Sequence, residues 1–69
     1  MMITSTAQAK KIIEVGMIVY TGADYIKVIE TNNNDIKCID VEYDEDIQDY
    51  REVGKPYYRT YTDFIKNEV

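Results

Sequence analysis

Asp40, Glu42, Asp44 and Asp46 stand at alternate positions in "DVEYDED", and carboxylates so placed are the first ligands a loop would offer a divalent cation. A calcium loop that begins this way carries glycine at its sixth position and a bidentate glutamate at its twelfth. Counted from Asp40, those places hold Glu45 and Arg51, so the metal reading fails there. Zinc and iron lack ligands, because the chain has no histidine and a single cysteine, Cys38. The same shortage speaks against catalysis. Ser5 has no histidine to activate it, Cys38 lies in a β-branched run without a base, and two carboxylates acting on a glycoside need a cleft that 69 residues hardly provide. Gly16, Gly22 and Gly54 are isolated, which leaves no phosphate-cradling loop. Neither an enzyme activity nor a metal or other cofactor is expected.

What remains is charge. Residues 40–52, "DVEYDEDIQDYRE", hold seven of the thirteen carboxylates against Arg51 alone, a local charge of −6, while the residues before them sum to zero and those after them to +1. Such a surface repels phosphate backbones and attracts basic ones, so a basic or nucleic-acid-binding protein is the expected partner and direct nucleic-acid binding is not. Carboxylates at every second residue of an extended chain lie about 6.6 Å apart on one face. A file of that kind can occupy a groove built for DNA or RNA. We therefore expect Asp40, Glu42, Asp44, Glu45, Asp46 and Asp49 to form a contact surface, with Tyr43 and Tyr50 adding specificity. In size and charge the chain resembles the small inhibitors that phages and other mobile elements encode. The plainer reading is a solvated loop that keeps the protein in solution and discourages strand pairing.

Tyrosine offers an alternative site. Tyr57, Tyr58 and Tyr61, near Arg51, Lys55 and Arg59, suggest an aromatic face for a peptide or for single-stranded nucleic acid, although the adjacent −6 stretch opposes the latter.

These side chains need elements to hold them. Ser5 followed by Gln8 forms a capping box, and Gly16 is a stop, so a helix is expected over about 6–15, with Ala9, Ile12 and Ile13 inward and Lys10 and Lys11 outward. Four β-branched and tyrosine-rich runs follow, "MIVYT", "DYIKVIET", "DIKCIDVEY" and "PYYRTYT". "TGAD" and "NNND" supply hairpin turns between the first three. Alternation puts Ile26 with Val28 on one side of the second run. In the third it puts Ile39, Val41 and Tyr43 on the buried side, with Cys38 and the acids on the displayed side. Residues 44–56 read as a long mobile loop ending in the turn "VGKPY", and about 62–68 as a short helical end capped by Thr62, with Phe64 and Ile65 closing the core. The expectation is a β-rich α+β fold in a single domain, residues 1–69: a short N-terminal helix, then a four- or five-stranded antiparallel meander.

"VGMIVYTGADYIKVIE" resembles the opening of a Src-homology-3-like barrel of the Tudor or ribosomal-protein kind. The likeness covers residues 15–43 and implies a half-open barrel; the tryptophan that peptide-binding members carry is missing. A domain of this length hides only about 60% of its unfolded surface, so its stability is thin. One cysteine forms no internal disulfide and points to the cytoplasm, and no run approaches the length of a membrane span.

Overall fold

The computed structural model describes residues 3–65. It contains one helix, α1 (Thr6–Ile12), four strands, β1 (Ile18–Tyr20), β2 (Tyr25–Thr31), β3 (Asp35–Asp44) and β4 (Asp49–Thr60), and a 3-10 helix, Tyr61–Phe64. Each strand pairs antiparallel with its sequence neighbour in the order β1-β2-β3-β4, an open sheet with β1 and β4 at its edges. The β-rich α+β meander is thus present, with four strands.

Ser5 caps α1 as its position predicts: its Oγ accepts from the Gln8 N–H at 3.2 Å. The Gln8 side chain reaches back to Thr4, whose N–H and hydroxyl both donate to Oε1, at 2.7 and 2.9 Å. The helix ends at Ile12, three residues short of the expected Val15, because Ile13 is already extended (φ −76°, ψ 121°). Two successive β-branched residues favour that departure, and it drops Ile13, 3% exposed, into the core. Gly16, at φ +93°, belongs to the following turn, where its N–H donates to the Val28 carbonyl at 2.8 Å and starts the sheet.

The core lies on one side of the sheet. Val19 faces Ile26 and Val28 faces Cys38 in the register, and these with Ile36 are fully buried beneath Ile3, Ala9, Ile13, Tyr61 and Phe64. Here the expected facing of β3 is reversed: the buried side carries Ile36 and Cys38, and the acids Asp40, Glu42 and Asp44 continue that same side beyond the covering helix. Ile39 and Val41, each 4% exposed, point to the other face, outside the core cluster.

Two expectations about the second half are corrected. The long loop over 44–56 is a four-residue connection, 45–48, and β4 begins at Asp49, since pairing with β3 imposes strand structure on residues of low intrinsic β preference. "VGKPY" is a bulge inside β4: Cys38 pairs Tyr57 and Asp40 pairs Val53, so Ile39 alone faces Gly54, Lys55 and Pro56. Gly54 takes φ +81° there, and Pro56 is tolerated because β4 is an edge. At the C-terminal end Phe64 is fully buried and Ile65 half-buried, but the 3-10 helix starts after Thr60, not Thr62; the rest of the expected helical end, 66–68, lies outside the described residues.

Candidate functional site

β2 accompanies β3 only as far as the pair Tyr25–Val41. Beyond it β3 pairs with β4 alone, through Glu42–Arg51, Tyr43–Tyr50 and Asp44–Asp49. Residues 42–51 therefore form a two-stranded arm that runs past the sheet, and the molecule is correspondingly elongated, 37 × 22 × 18 Å. The arm bears Glu42, Asp44, Glu45, Asp46 and Asp49 against one cation, Arg51.

Its two faces differ in chemistry because strand side chains alternate. On the face continuing the core, Arg51 bridges two carboxylates, with Nη2 3.3 Å from Glu42 Oε2 and Nε 3.6 Å from Asp44 Oδ2. Asp40, at the base of the arm, accepts a 2.6 Å hydrogen bond from the Tyr57 hydroxyl. Of the expected file, Asp40, Glu42 and Asp44 alternate along β3 and are each partnered, while Asp46 lies in the turn beyond the strand. At the tip, Asp44 Oδ1 accepts from the Asp46 N–H at 2.9 Å and Asp49 Oδ1 from the Tyr50 N–H at 2.7 Å, which close the turn. Glu45 and Asp46 make no ion pair among the described residues, and Ile47 between the acids is 59% exposed. Gln48 is held at φ +53°, a left-handed position that suits glycine better. Gln48→Gly is accordingly expected to leave stability unchanged or raise it by up to about 1 kcal/mol, read from the urea midpoint.

On the other face the tyrosines meet. Tyr43 and Tyr50 pack edge to face with centroids 5.5 Å apart, Tyr50 lies 5.6 Å from Tyr25, and Tyr25 lies 4.9 Å from Tyr20. Tyr25 and Tyr50 stand on the strands either side of β3, so their rings meet above it, next to the buried Val41. Lys27 and Glu52 form a second strap across β3, 3.8 Å apart. The two straps account for the burial of Ile39 and Val41 away from the main core.

Tyr57, Tyr58 and Tyr61, expected as one aromatic face, are dispersed. Tyr61 is 4% exposed in the core, with its hydroxyl donating to the Asn32 carbonyl at 2.8 Å. Tyr58 is 60% exposed on the outer face, opposite Lys37. Tyr57 sits at the core rim, where Arg59 lies over its ring at 5.4 Å and donates Nε and Nη2 to its oxygen, each at 3.3 Å. The row that does form includes Tyr20 and Tyr25, which sequence reasoning passed over. Their signal was the short turn "TGAD", which sets the two rings directly opposite each other.

No family model, curated protein or solved structure matches this chain. Among the described residues no group of three or more Cys, Asp or Glu is placed to hold a metal ion, and no helix is long and apolar enough to cross a membrane. A shallow cleft of about 200 Å³, lined by Thr6, Lys10, Asn34, Tyr61 and Thr62, opens at the end of β3 away from the arm.

Burial raises the Cys38 thiol above its ordinary range, and the hydrogen bond to the Tyr57 oxygen raises Arg59. Burial, then the bond to Asp40, push Tyr57 up to about 12 from 10.0, outweighing the nearby guanidinium, which favours the phenolate. A folded-state value above the unfolded one means that Tyr57's contribution is intact below pH 10 and is lost as pH rises from about 10 toward 12. The near-ultraviolet absorbance of tyrosinate should show one ring ionising near pH 12, and Tyr57→Phe should abolish that phase.

Proposed function

We propose that the chain is a non-catalytic protein-binding domain of the cytoplasm whose acidic arm engages a basic partner. The partner is a basic or nucleic-acid-binding protein, and the arm occupies the groove where nucleic acid would lie, as an inhibitor of the phage or mobile-element kind does. The observation that carries this reading is the arm itself: a two-stranded ribbon beyond the sheet, with Glu45 and Asp46 at its tip unpaired among the described residues. Charge presented on a projection steers a basic partner at long range and gives fast association. Asp40 is better read as a rim residue than as a contact, since Tyr57 already donates to it.

Capture from a cytoplasmic extract at low and high salt tests this, comparing the natural chain with the triple variant Glu45→Gln, Asp46→Asn, Asp49→Asn. A basic protein should be retained at low salt, released by salt or by added DNA, and lost on neutralisation. Retention of the same protein by both chains would reduce the acids to an aid to solubility.

The tyrosine row favours a second reading, in which the sheet works as a Src-homology-3-like module and takes an extended peptide on its rings.

A further inference from the structure

We infer that the row Tyr20–Tyr25–Tyr50–Tyr43 is a docking strip for an extended, arginine-bearing segment of the partner. This rests on the reading that the arm meets a basic protein, and it names the chemistry the sheet beside the arm selects. Tyr25, opposite Val41 in the register and itself 43% exposed, meets Tyr50 over β3. Tyr20 and Tyr43 lengthen the row at either end while remaining 47% and 57% exposed. The result is a contiguous apolar strip across the four strands, ending beside the acidic tip.

Charge complementarity decides the occupant. Lys27, the cation beside the row, is engaged by Glu52, and the Tyr43–Tyr50 end leads directly to Glu45 and Asp46. An incoming cation therefore meets ring faces first and next two carboxylates that make no ion pair among the described residues. The geometry favours guanidinium over ammonium, because arginine's planar head stacks on aromatic faces, is weakly hydrated and forks onto carboxylates. Within the chain both kinds of cation lie over rings, Arg59 at 5.4 Å from Tyr57 and Lys10 at 5.7 Å from Tyr61, but the cation shared by two carboxylates, Glu42 and Asp44, is an arginine, Arg51. Successive ring centroids 4.9, 5.6 and 5.5 Å apart bound the strip at about 16 Å, the span of up to about five extended residues at about 3.3 Å each. Alternate side chains of such a segment, about 6.6 Å apart, approach the ring spacing. Stacked bases of single-stranded nucleic acid would also suit the rings, but the −6 stretch at the end of the strip opposes their phosphates.

Titration calorimetry with three probes tests the assignment: an alternating arginine–serine octapeptide, its lysine–serine counterpart of equal charge, and an oligothymidine. The arginine peptide should bind about fivefold or more tighter than the lysine peptide, in keeping with a desolvated cation–π contact. The double variant Tyr20→Ala, Tyr43→Ala spares the two rings that meet over β3, and should bring the arginine peptide down to the lysine level. Equal affinities for the two peptides, no binding of either, preference for oligothymidine, or an arginine preference that survives the double variant would each overturn the assignment. Neutralising Glu45, Asp46 and Asp49 separates the two readings. If it weakens both peptides equally and the double variant does nothing, the charged arm stands without the strip; if it does nothing and the double variant abolishes the arginine preference, the strip stands without the arm.

Discussion

Phe64→Ala is expected to abolish the cooperative unfolding transition at ordinary temperature or to lower its midpoint by more than about 15 °C. Phe64 is fully buried, the bulkiest of the fully buried side chains, and it sits on the 3-10 helix that packs against α1 over the sheet. Truncating such a ring costs about 3–5 kcal/mol, from lost transfer energy and the cavity left behind. At about 0.05–0.15 kcal/mol per residue, a chain of this length has only about 3–10 kcal/mol in total. The one cysteine is a free thiol, so no internal disulfide offsets the loss. For a domain of this size each kcal/mol moves the thermal midpoint by about 4–8 °C, so the melting curve reads the effect directly. Phe64→Leu keeps most of the volume and should cost below about 1.5 kcal/mol. A melting curve for Phe64→Ala superimposable on the natural one would mean that the C-terminal turn does not close the core.

The parts of the fold that were legible in the sequence are those fixed by local chemistry. Ser5 and Gln8 announce the helix start because a hydroxyl and an amide at that spacing satisfy free backbone donors. "TGAD" and "NNND" announce turns for the same kind of reason. β4 was hidden because its opening "DYRE" has one strong strand former, Tyr50, among charged residues; what makes it a strand is the cross-strand company of Tyr43 and Glu42, nine positions or fewer away but on another element. The buried side of β3 was ambiguous because both of its faces are apolar near the middle: Ile36 and Cys38 serve the core while Ile39 and Val41 lie under the tyrosine and Lys27–Glu52 straps. Composition located the acids but could not show which were already partnered. The pairing of Asp40 depends on a tyrosine seventeen residues away, which stands opposite Cys38 across a bulge that no local pattern specifies.

That pairing gives the second large effect: Asp40→Ala should destabilise the domain by about 2–3 kcal/mol, while Asp46→Asn at the tip should stay within about 0.5 kcal/mol. Asp40 is half-buried where the core ends, and its removal takes the acceptor from the Tyr57 hydroxyl, which in turn receives both donors of Arg59. A hydroxyl left at the edge of the core without its carboxylate loses a charge-assisted bond and retains its desolvation cost. Tyr57→Phe breaks the same bond from the other side, so the two substitutions together should cost less than their sum, with a coupling of about 1–2 kcal/mol in a double-mutant cycle by urea denaturation. The phenol supplies an independent readout. Asp40 is the second cause, after burial, of the rise of Tyr57 to about 12, so Asp40→Ala should bring the late tyrosinate phase to lower pH, with burial left to oppose Arg59, which favours the phenolate. If stability and that phase are both unchanged, the rim is not coupled and Asp40 returns to the contact surface. If both move, a loss of partner binding in Asp40 variants would reflect a damaged arm base, and the proposed contact with a basic partner would rest on Glu45, Asp46 and Asp49.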